Sequence, residues 1–493
     1  MTIWGVSALS HDASLAVVTD GEIKFAAHAE RYSRKKGDPL LHPAMVQEAL
    51  RYGEPSLIAW YERPTLKRAR YLRAGQWTEA FTAVDRPRSY IGSLGLRCSP
   101  RIRFVNHHLS HGSAGFATSG LDESVVIVAD AIGEWRTLSI SYYRRGERPR
   151  LLHKRGYPHS LGLLYSAFTR RCGFRPNEEE YIVMGLAATG EPRHEYEICR
   201  DLVELRPPSF RLKFNPHRGI GNWLPRARTE DLAASIQRIT ERVMVEAAAW
   251  AHRATGSPHL IFMGGMALNC VVNSRLAESG TYDKIWIFPN PGDAGSSVGA
   301  AAFASGSELN WRSPYLGTDI PGPYPVATVL AELQRSRLVG VAAGRAEFGP
   351  RALGNRSLLA DPMVDDMQEL LNGVKGREPF RPFAPVVRAE IAHELFDLPV
   401  PESPYMQYVA RCREPDRYPG IVHVDGTSRV QTVRPEDHRG LHDLLTRWEC
   451  LTGGRLLLNT SLNIKGEPLA NDVAHARAFA AHTGVRVACA GEA

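Results

Sequence analysis

Asn106-His107-His108-Leu109-Ser110-His111-Gly112 places two imidazoles, His107 and His111, four residues apart. On a helix starting at His107 these positions lie one turn above each other on one face, the spacing of two ligands to a divalent metal. Two histidines do not complete a coordination shell, and the segment alone equally suits one packing or capping histidine among solvated neighbours. Carboxylates that could join them stand elsewhere. Ser10-His11-Asp12 and Asp130-Ala131-Ile132-Gly133-Glu134 are polar turns, and Asp293 opens a helix where it either caps or turns its carboxylate into a cleft. In a two-lobed ATPase such turns grip phosphates and metal through backbone N–H groups and carboxylates. Gly264-Gly265-Met266-Ala267-Leu268-Asn269 is a strand-to-helix turn that lets a nucleotide approach the backbone. Farther on, Arg345, Arg351 and Arg356 punctuate a glycine-rich segment suited to fork-like phosphate recognition. Lys375, Arg377 and Arg381 fall in a proline-rich turn, and Ser461 and Asn463 follow a short strand at Arg455–Leu458. Loops that repeatedly combine Arg, Asn and Ser with Gly and Pro point to function rather than to a solvated surface.

The elements that must position these residues repeat. Ile3–Leu9, Ser14–Thr19 and Glu22–His28 read as three strands, with Asp20-Gly21 as a hairpin turn, and a helix follows around Pro43–Tyr52. Ser124–Asp130, Thr137–Tyr143 and Arg150–Arg155 read as three more strands, followed by a helix over Ser160–Cys172. The short strand Arg101–Val105 puts the histidine pair at a strand-to-helix junction. Two meanders of this kind predict a duplicated α/β fold with a cleft between its halves, and each polar turn closes the first strand of one copy. A long helix over Leu232–Thr255 and strands at His259–Met263, Lys284–Phe288 and Leu338–Ala342 complete the reading. Trp311–Tyr324 is rich in Pro and Gly and lacks strand or helix periodicity. The expected division is therefore residues 1–310, a linker over 311–324, and a second domain over 325–493.

At 493 residues the chain exceeds what one core supports, and its 43% hydrophobic and 23% charged residues are ordinary for a globular protein. No run approaches the ~18 apolar residues of a membrane span, and the N-terminus lacks a basic segment followed by an apolar one. Seven cysteines, scattered and without a CxxC pair, predict free thiols in a reducing cytoplasm. The net charge of +7 comes with dispersed arginines and no basic, aromatic-rich tract, so no nucleic-acid partner is expected. Small anionic substrates suit this balance.

Nine ordered segments carry a resemblance to a known family. They are GVSALSHDASLAVVTDGEI, AERYSRKKGD, NHHLSHGSAGF, HSLGLLYSAFTRRCGF, GGMALNCVVNSRL, PNPGDAGSSVGAA, EFGPRALGNRSLLADP, REPFRPFAPVV and LLLNTSLNIKGEP. Together they resemble the NodU/CmcH O-carbamoyltransferases. The resemblance implies a duplicated actin/sugar-kinase-like (RNase H-like) two-lobed domain followed by a YrdC-like α/β domain. It implies that the second domain joins carbamoyl phosphate and ATP, with Mg2+, into a carbamoyl adenylate, using Lys375 and Arg377 with Ser461 and Asn463. The first domain would then pass the carbamoyl group to the hydroxyl of a small-molecule natural product. The family's metal, Fe(II) or another divalent ion, maps onto His107, His111, Asp130 and Asp293. His11, with Asp12 beside it in the HDxS motif, is the candidate general base. Gly264, Gly265, Asn269, Arg345, Arg351, Arg356 and Arg381 are the candidate nucleotide and phosphate contacts. A cytoplasmic enzyme, free or as a homodimer, is expected. The alternatives are a threonylcarbamoyl-type tRNA-modifying enzyme, which calls for a basic aromatic surface, and a non-catalytic nucleotide-dependent binding module, which leaves the Lys/Arg/Ser/Asn set unexplained. Glu180–Gly190 departs from the family's reading by lacking a lysine and a Pro-Tyr pair, and this loop bears on acceptor choice.

Overall fold

The computed structural model describes residues 1–73, 76–82, 86–306, 308–378 and 381–491. Pro379 and Phe380 of the proline-rich turn, and the last two residues, lie outside the described residues. The chain divides into two compact units, Met1–Ser33 with Gly37–Arg312, and Arg34–Lys36 with Ser313–Ala493.

Among the described residues, the first unit builds two five-stranded sheets. One is made of β1 (Thr2–Ser7), β2 (Ser14–Thr19), β3 (Glu22–His28), β4 (Leu57–Trp60) and β5 (Arg101–Phe104), in the order β3-β2-β1-β4-β5. The other contains β6 (Glu123–Gly133), β7 (Arg136–Arg144) and β8 (Arg150–Gly156). After the small ribbon β9 (Val203–Arg206) and β10 (Ser209–Leu212), β11 (His259–Met263) and β12 (Lys284–Trp286) complete it, in the order β12-β11-β6-β7-β8. In each sheet the first three strands pair antiparallel and the last two are added in parallel. The topology is the same twice, as the repeated meanders predict. Asp20 and Gly21 sit at φ 50° and 80°, the two left-handed residues that a tight hairpin of this hand requires.

Helix packing in this unit depends on missing side chains. The helix Ser296–Ser305 lies against both β1 and the helix His107–Ser119. A Cβ on Gly299 would fall 1.7 Å from Ser110 O, and one on Gly5 would fall 1.7 Å from Ser297 O. Backbone therefore meets backbone at both contacts, and the turn before Ser296 is drawn toward the histidine helix.

The second unit holds β13 (Tyr315–Ile320), β14 (Leu338–Ala342), β15 (Gly344–Glu347), β16 (Arg356–Ala360), β17 (Ala384–Arg388), β18 (Phe396–Asp397), β19 (Tyr408–Cys412), β20 (Thr427–Val433), β21 (Leu456–Ser461) and β22 (Val487–Cys489). Eight of these form one mixed sheet, β18-β19-β20-β17-β21-β16-β14-β22. Val339, Leu358, Val386 and Leu457 from that sheet share a buried core with Leu333, Leu444 and Trp448 from covering helices. One expectation is corrected here. Within 311–324, read as a structureless linker, Tyr315–Ile320 is a strand paired antiparallel with β15, Ile320 opposite Gly344. Leu316, Gly317 and Ile320 are buried, and the flanking prolines and glycines hid so short an apolar pattern.

All seven cysteines are free thiols. Among the described residues no helix is long and apolar enough to cross a membrane.

Candidate functional site

In the first unit, three chain segments converge on one buried point. The helix His107–Ser119 supplies His107 and His111 from its first two turns, the end of β6 supplies Asp130, and the turn after β12 supplies Asp293. His107 Nε2 lies 3.1 Å from Asp130 Oδ2 and 3.5 Å from Asp293 Oδ1. His111 Nε2 lies 3.2 Å from Asp293 Oδ1, 3.5 Å from Asp130 Oδ2 and 3.1 Å from His107 Nε2. The four donor atoms all fall within 4.8 Å of one another, and all four residues are buried. Donors held about 2.1 Å from a common ion and 90–110° apart are themselves about 3.0–3.4 Å apart, so this set fits a single cation. Asp293 does not cap a helix; its carboxylate faces the histidines.

The hydrogen bonds around the cluster agree. His111 Nδ1 is 3.0 Å from the carbonyl of Pro291, which only accepts, so Nδ1 carries the proton and Nε2 presents a lone pair inward. Asp130 Oδ1 accepts from the amides of Ala131 (2.8 Å) and Gly265 (3.4 Å), leaving Oδ2 for the cluster. Two carboxylates beside two neutral rings leave two negative charges with no fixed countercharge among the four. The titration behaviour reports that imbalance. Burial works against a charged His107, yet Asp293 and Asp130 push its ring well above the usual histidine range. Burial also works against ionised Asp130 and Asp293, yet the histidines hold both well below the carboxylate range. The site demands positive charge. His108 differs: burial, then His107 and His111, push it well below its ordinary value, and its Nδ1 meets Ser139 Oγ at 2.7 Å. It packs rather than ligates.

His11 and Asp12 lie at the rim. His11 Nε2 is 3.6 Å from Asp293 Oδ2, its Nδ1 is 3.0 Å from Asp12 Oδ2, and its side chain is 61% exposed. The Asp293 carboxylate, aided by Asp12, pushes His11 up to about 10. His11 is therefore an imidazolium at neutral pH unless the charge of Asp293 is committed to another cation, and only the neutral ring can act as a base.

The glycine turn is held close to the end of β6. Gly264 sits at φ +90°, and a Cβ there would fall 2.3 Å from Ala129 O; one on Gly265 would fall 3.1 Å from Asp130 Oδ1. The turn is pressed against the end of β6 and steadies Asp130. Asn269 is the buried N-cap of the helix Cys270–Glu278, accepting from Val272 N–H at 3.1 Å, and it donates to Gln237 Oε1 at 2.8 Å. Gln237 in turn accepts from the Tyr165 hydroxyl at 3.0 Å. Sequence reading passed over Gln237 and Tyr61, whose ring centroid is 5.3 Å from that of His107, because a lone Gln or Tyr in an apolar pattern carries no spacing signal.

In the second unit the expected pairs come together. Lys375, fully buried at the end of the helix Met367–Lys375, points Nζ at Ser461 O, at Asn463 O (2.7 Å) and at Asn463 Oδ1 (3.1 Å). Arg377 Nη2 lies 3.4 Å from Ser461 Oγ, which donates to Asn463 Oδ1 at 2.5 Å. Burial, then Arg377 and Arg381, push Lys375 well below the usual lysine range. Its hydrogen-bond partners are neutral oxygens, while Arg381 faces the Glu378 carboxylate at 3.7 Å. The arginines of 345–356 divide differently. Arg356 is completely buried and donates to the carbonyls of Asn471 (3.0 Å), Ala343 (2.8 Å), Asn355 (2.9 Å) and Thr318 (2.9 Å). Arg345 donates to the carbonyls of Gly317 and Leu316. Both guanidinium groups grip backbone carbonyls and tie β13 to β15 and β16, and Arg356, expected at a phosphate, commits all its nitrogens there. Arg351 is half-buried at the start of the intervening loop.

Comparison with known proteins identifies the family. The family described as Carbamoyltransferase N-terminus matches residues 79–302, and Carbamoyltransferase C-terminus matches residues 330–493. The uncharacterized protein sll1178 of Synechocystis sp. is 34% identical, covering 95% of this chain and 92% of that protein. Nodulation protein NolNO of Sinorhizobium fredii is 32% identical over 94% of this chain and 76% of its own length. The 3'-hydroxymethylcephem-O-carbamoyltransferase of Amycolatopsis lactamdurans is 29% identical over 94% of this chain and 93% of that enzyme. With both family descriptions met and relatives aligned over nearly its whole length, the chain belongs to the carbamoyltransferase family and is an enzyme that transfers carbamoyl groups.

Proposed function

We propose that this enzyme is an ATP-dependent O-carbamoyltransferase of natural-product biosynthesis. Its second unit, YrdC-like in this reading, hydrolyses carbamoyl phosphate to carbamate and inorganic phosphate, and the carbamate oxygen then attacks the α-phosphorus of ATP, held with Mg2+, forming carbamoyl adenylate and releasing pyrophosphate. Its first unit, of the actin/sugar-kinase type, moves the carbamoyl group to a hydroxyl of a small molecule and releases AMP. One observation carries the proposal: one unit holds the buried Lys375 against Ser461 and Asn463 with Arg377 beside them, and the other gathers His107, His111, Asp130 and Asp293 about one point.

A carbamoyl carbon is a sluggish electrophile because its nitrogen donates into the carbonyl, and a mixed anhydride with AMP supplies the leaving group it lacks. In the second unit, Lys375 and Arg377 offer the cationic donors such an anhydride and its phosphates need, held in place by Ser461 and Asn463. In the first unit, His107, His111, Asp130 and Asp293 would hold a divalent ion; on donor type Fe(II), Mn(II) and Zn(II) all fit. Such an ion would supply Lewis acidity and positive charge beside the phosphate of the adenylate. His11, relieved of the charge of Asp293, accepts the proton of the acceptor hydroxyl, and Asp12 orients its ring through Nδ1.

The test is to incubate the protein with ATP, carbamoyl phosphate, Mg2+ and a panel of hydroxylated natural products, following AMP, pyrophosphate and the mass gain of one carbamoyl group. Pyrophosphate exchange without acceptor is expected. Its absence in folded, metal-loaded protein would overturn the adenylation reading.

A further inference from the structure

The two histidine ligands are oriented by different means. His111 is fixed in the usual way, through a ring N–H to the carbonyl of Pro291. His107 has no such partner: its Nδ1 is buried without a hydrogen bond among the described residues. Its ring lies flat against Gly133, where a Cβ would fall 2.1 Å from His107 Cδ2. Packing of that kind sets the plane of the ring but leaves its position along the helix axis open. The remaining restraint comes through the backbone.

Glu134, the residue after Gly133, supplies it. Its Oε1 accepts the amide of His107 at 3.3 Å and the amide of Arg63 at 2.7 Å, and its Oε2 accepts from Asn106 Nδ2. Asn106 stands at the N-cap of the histidine helix but makes no side-chain cap bond of its own. The cap is thus delivered from another strand by a carboxylate, which also suits the positive end of the helix. Arg63 follows Tyr61, whose ring contacts that of His107 and whose carbonyl accepts from Ser110 Oγ at 2.9 Å. One side chain therefore ties the loop after β4, the first turn of the helix and the β6–β7 hairpin together. Glu134 does so from φ +57°, a left-handed conformation that disfavours any residue with a Cβ. Glycine would be more comfortable there; the side chain is what glycine cannot provide.

We propose that Glu134 is the positioning residue of His107, taking the place of the missing ring hydrogen bond by fixing the backbone from which the imidazole hangs. The inference rests on the metal reading of the His107/His111/Asp130/Asp293 cluster. Glu134→Gln keeps the shape but puts a donor where acceptors are needed. In the full chain it should weaken Co2+ or Mn2+ binding, measured by chelator competition, by about 10- to 100-fold and shift the visible spectrum of bound Co2+. A buried apolar truncation remote from the cluster, Leu276→Ala, should lower the melting temperature without either change. Glu134→Asp, which keeps the charge, should restore part of the affinity. If the native chain binds metal, His111→Ala does not, and Glu134→Gln binds with native affinity and spectrum, the positioning role is overturned while the metal reading stands. If the native chain binds no divalent ion, both fall. Should Glu134→Gln fail to fold, Asn106→Ala removes one of its partners alone and should weaken binding several-fold; native affinity there overturns the inference equally.

Discussion

The first unit gathers two carboxylates and two imidazoles around one point, and the second gathers a lysine and two arginines around another. The first group is buried throughout; in the second Lys375 is buried while Arg377 and Arg381 are half-buried, with Arg381 3.7 Å from Glu378. The carboxylate cluster pulls protons onto His107, whereas the cationic cluster drives the proton off Lys375. On the proposed function the first centre takes a metal and the second a phosphate-bearing substrate, and the two are separately breakable.

The largest effects come from removing one member of each centre. His111→Ala should weaken divalent-metal binding beyond the about 100-fold typical of losing an outer partner, and abolish transfer. Lys375→Met should cut pyrophosphate exchange by about 100- to 1,000-fold while metal affinity stays native. Loss of metal binding in Lys375→Met would break the comparison.

Next comes Arg356, which the structure moves from ligand contact to scaffold. Arg356→Lys should destabilise the protein by about 3 kcal/mol in denaturant unfolding, since a lysine cannot serve four carbonyls in the plane of a guanidinium. If instead stability holds and the KM for ATP rises, the arginine belongs to the substrate site. Gly299→Ala should cost about 1–3 kcal/mol, because its Cβ would meet Ser110 O at 1.7 Å. The histidine helix must shift to admit it, so metal affinity should fall together with the melting temperature.

The smallest effect is a proton. Lys375 has a depressed folded-state pKa, so between that value and the unfolded value of about 10.4 the unfolded chain binds more protons. The contribution of this residue to stability is thus present at high pH and lost as pH falls through the folded value. A bound phosphate reverses the preference, and binding of carbamoyl phosphate should take up as much as about one proton, seen as a buffer-dependent calorimetric heat. Lys375→Met should bind with no such uptake.

Much of this was legible from the chain alone. The helical spacing of His107 and His111 and the doubled meander located half of the metal cluster and the sheet that carries Asp130. By its position alone Asp293 was ambiguous, because an Asp before a helix is ordinarily a cap, and it was the family resemblance that placed it with the histidines. The scaffold role of Arg356 was not legible because a guanidinium that recognises phosphate and one that clamps carbonyls look identical in sequence. The strand at Tyr315–Ile320 was hidden by the prolines around it. Glu134 was invisible as a cap, since it lies 27 residues from the amide of His107 that it accepts.

The central claim, that adenylation and transfer are separate jobs of separate centres, is tested most directly by carbamoyl phosphate-dependent ATP–pyrophosphate exchange in the His111→Ala protein. Exchange should persist near the native rate while carbamoyl transfer to any acceptor disappears. Loss of exchange together with transfer, in protein that remains folded, would contradict the division.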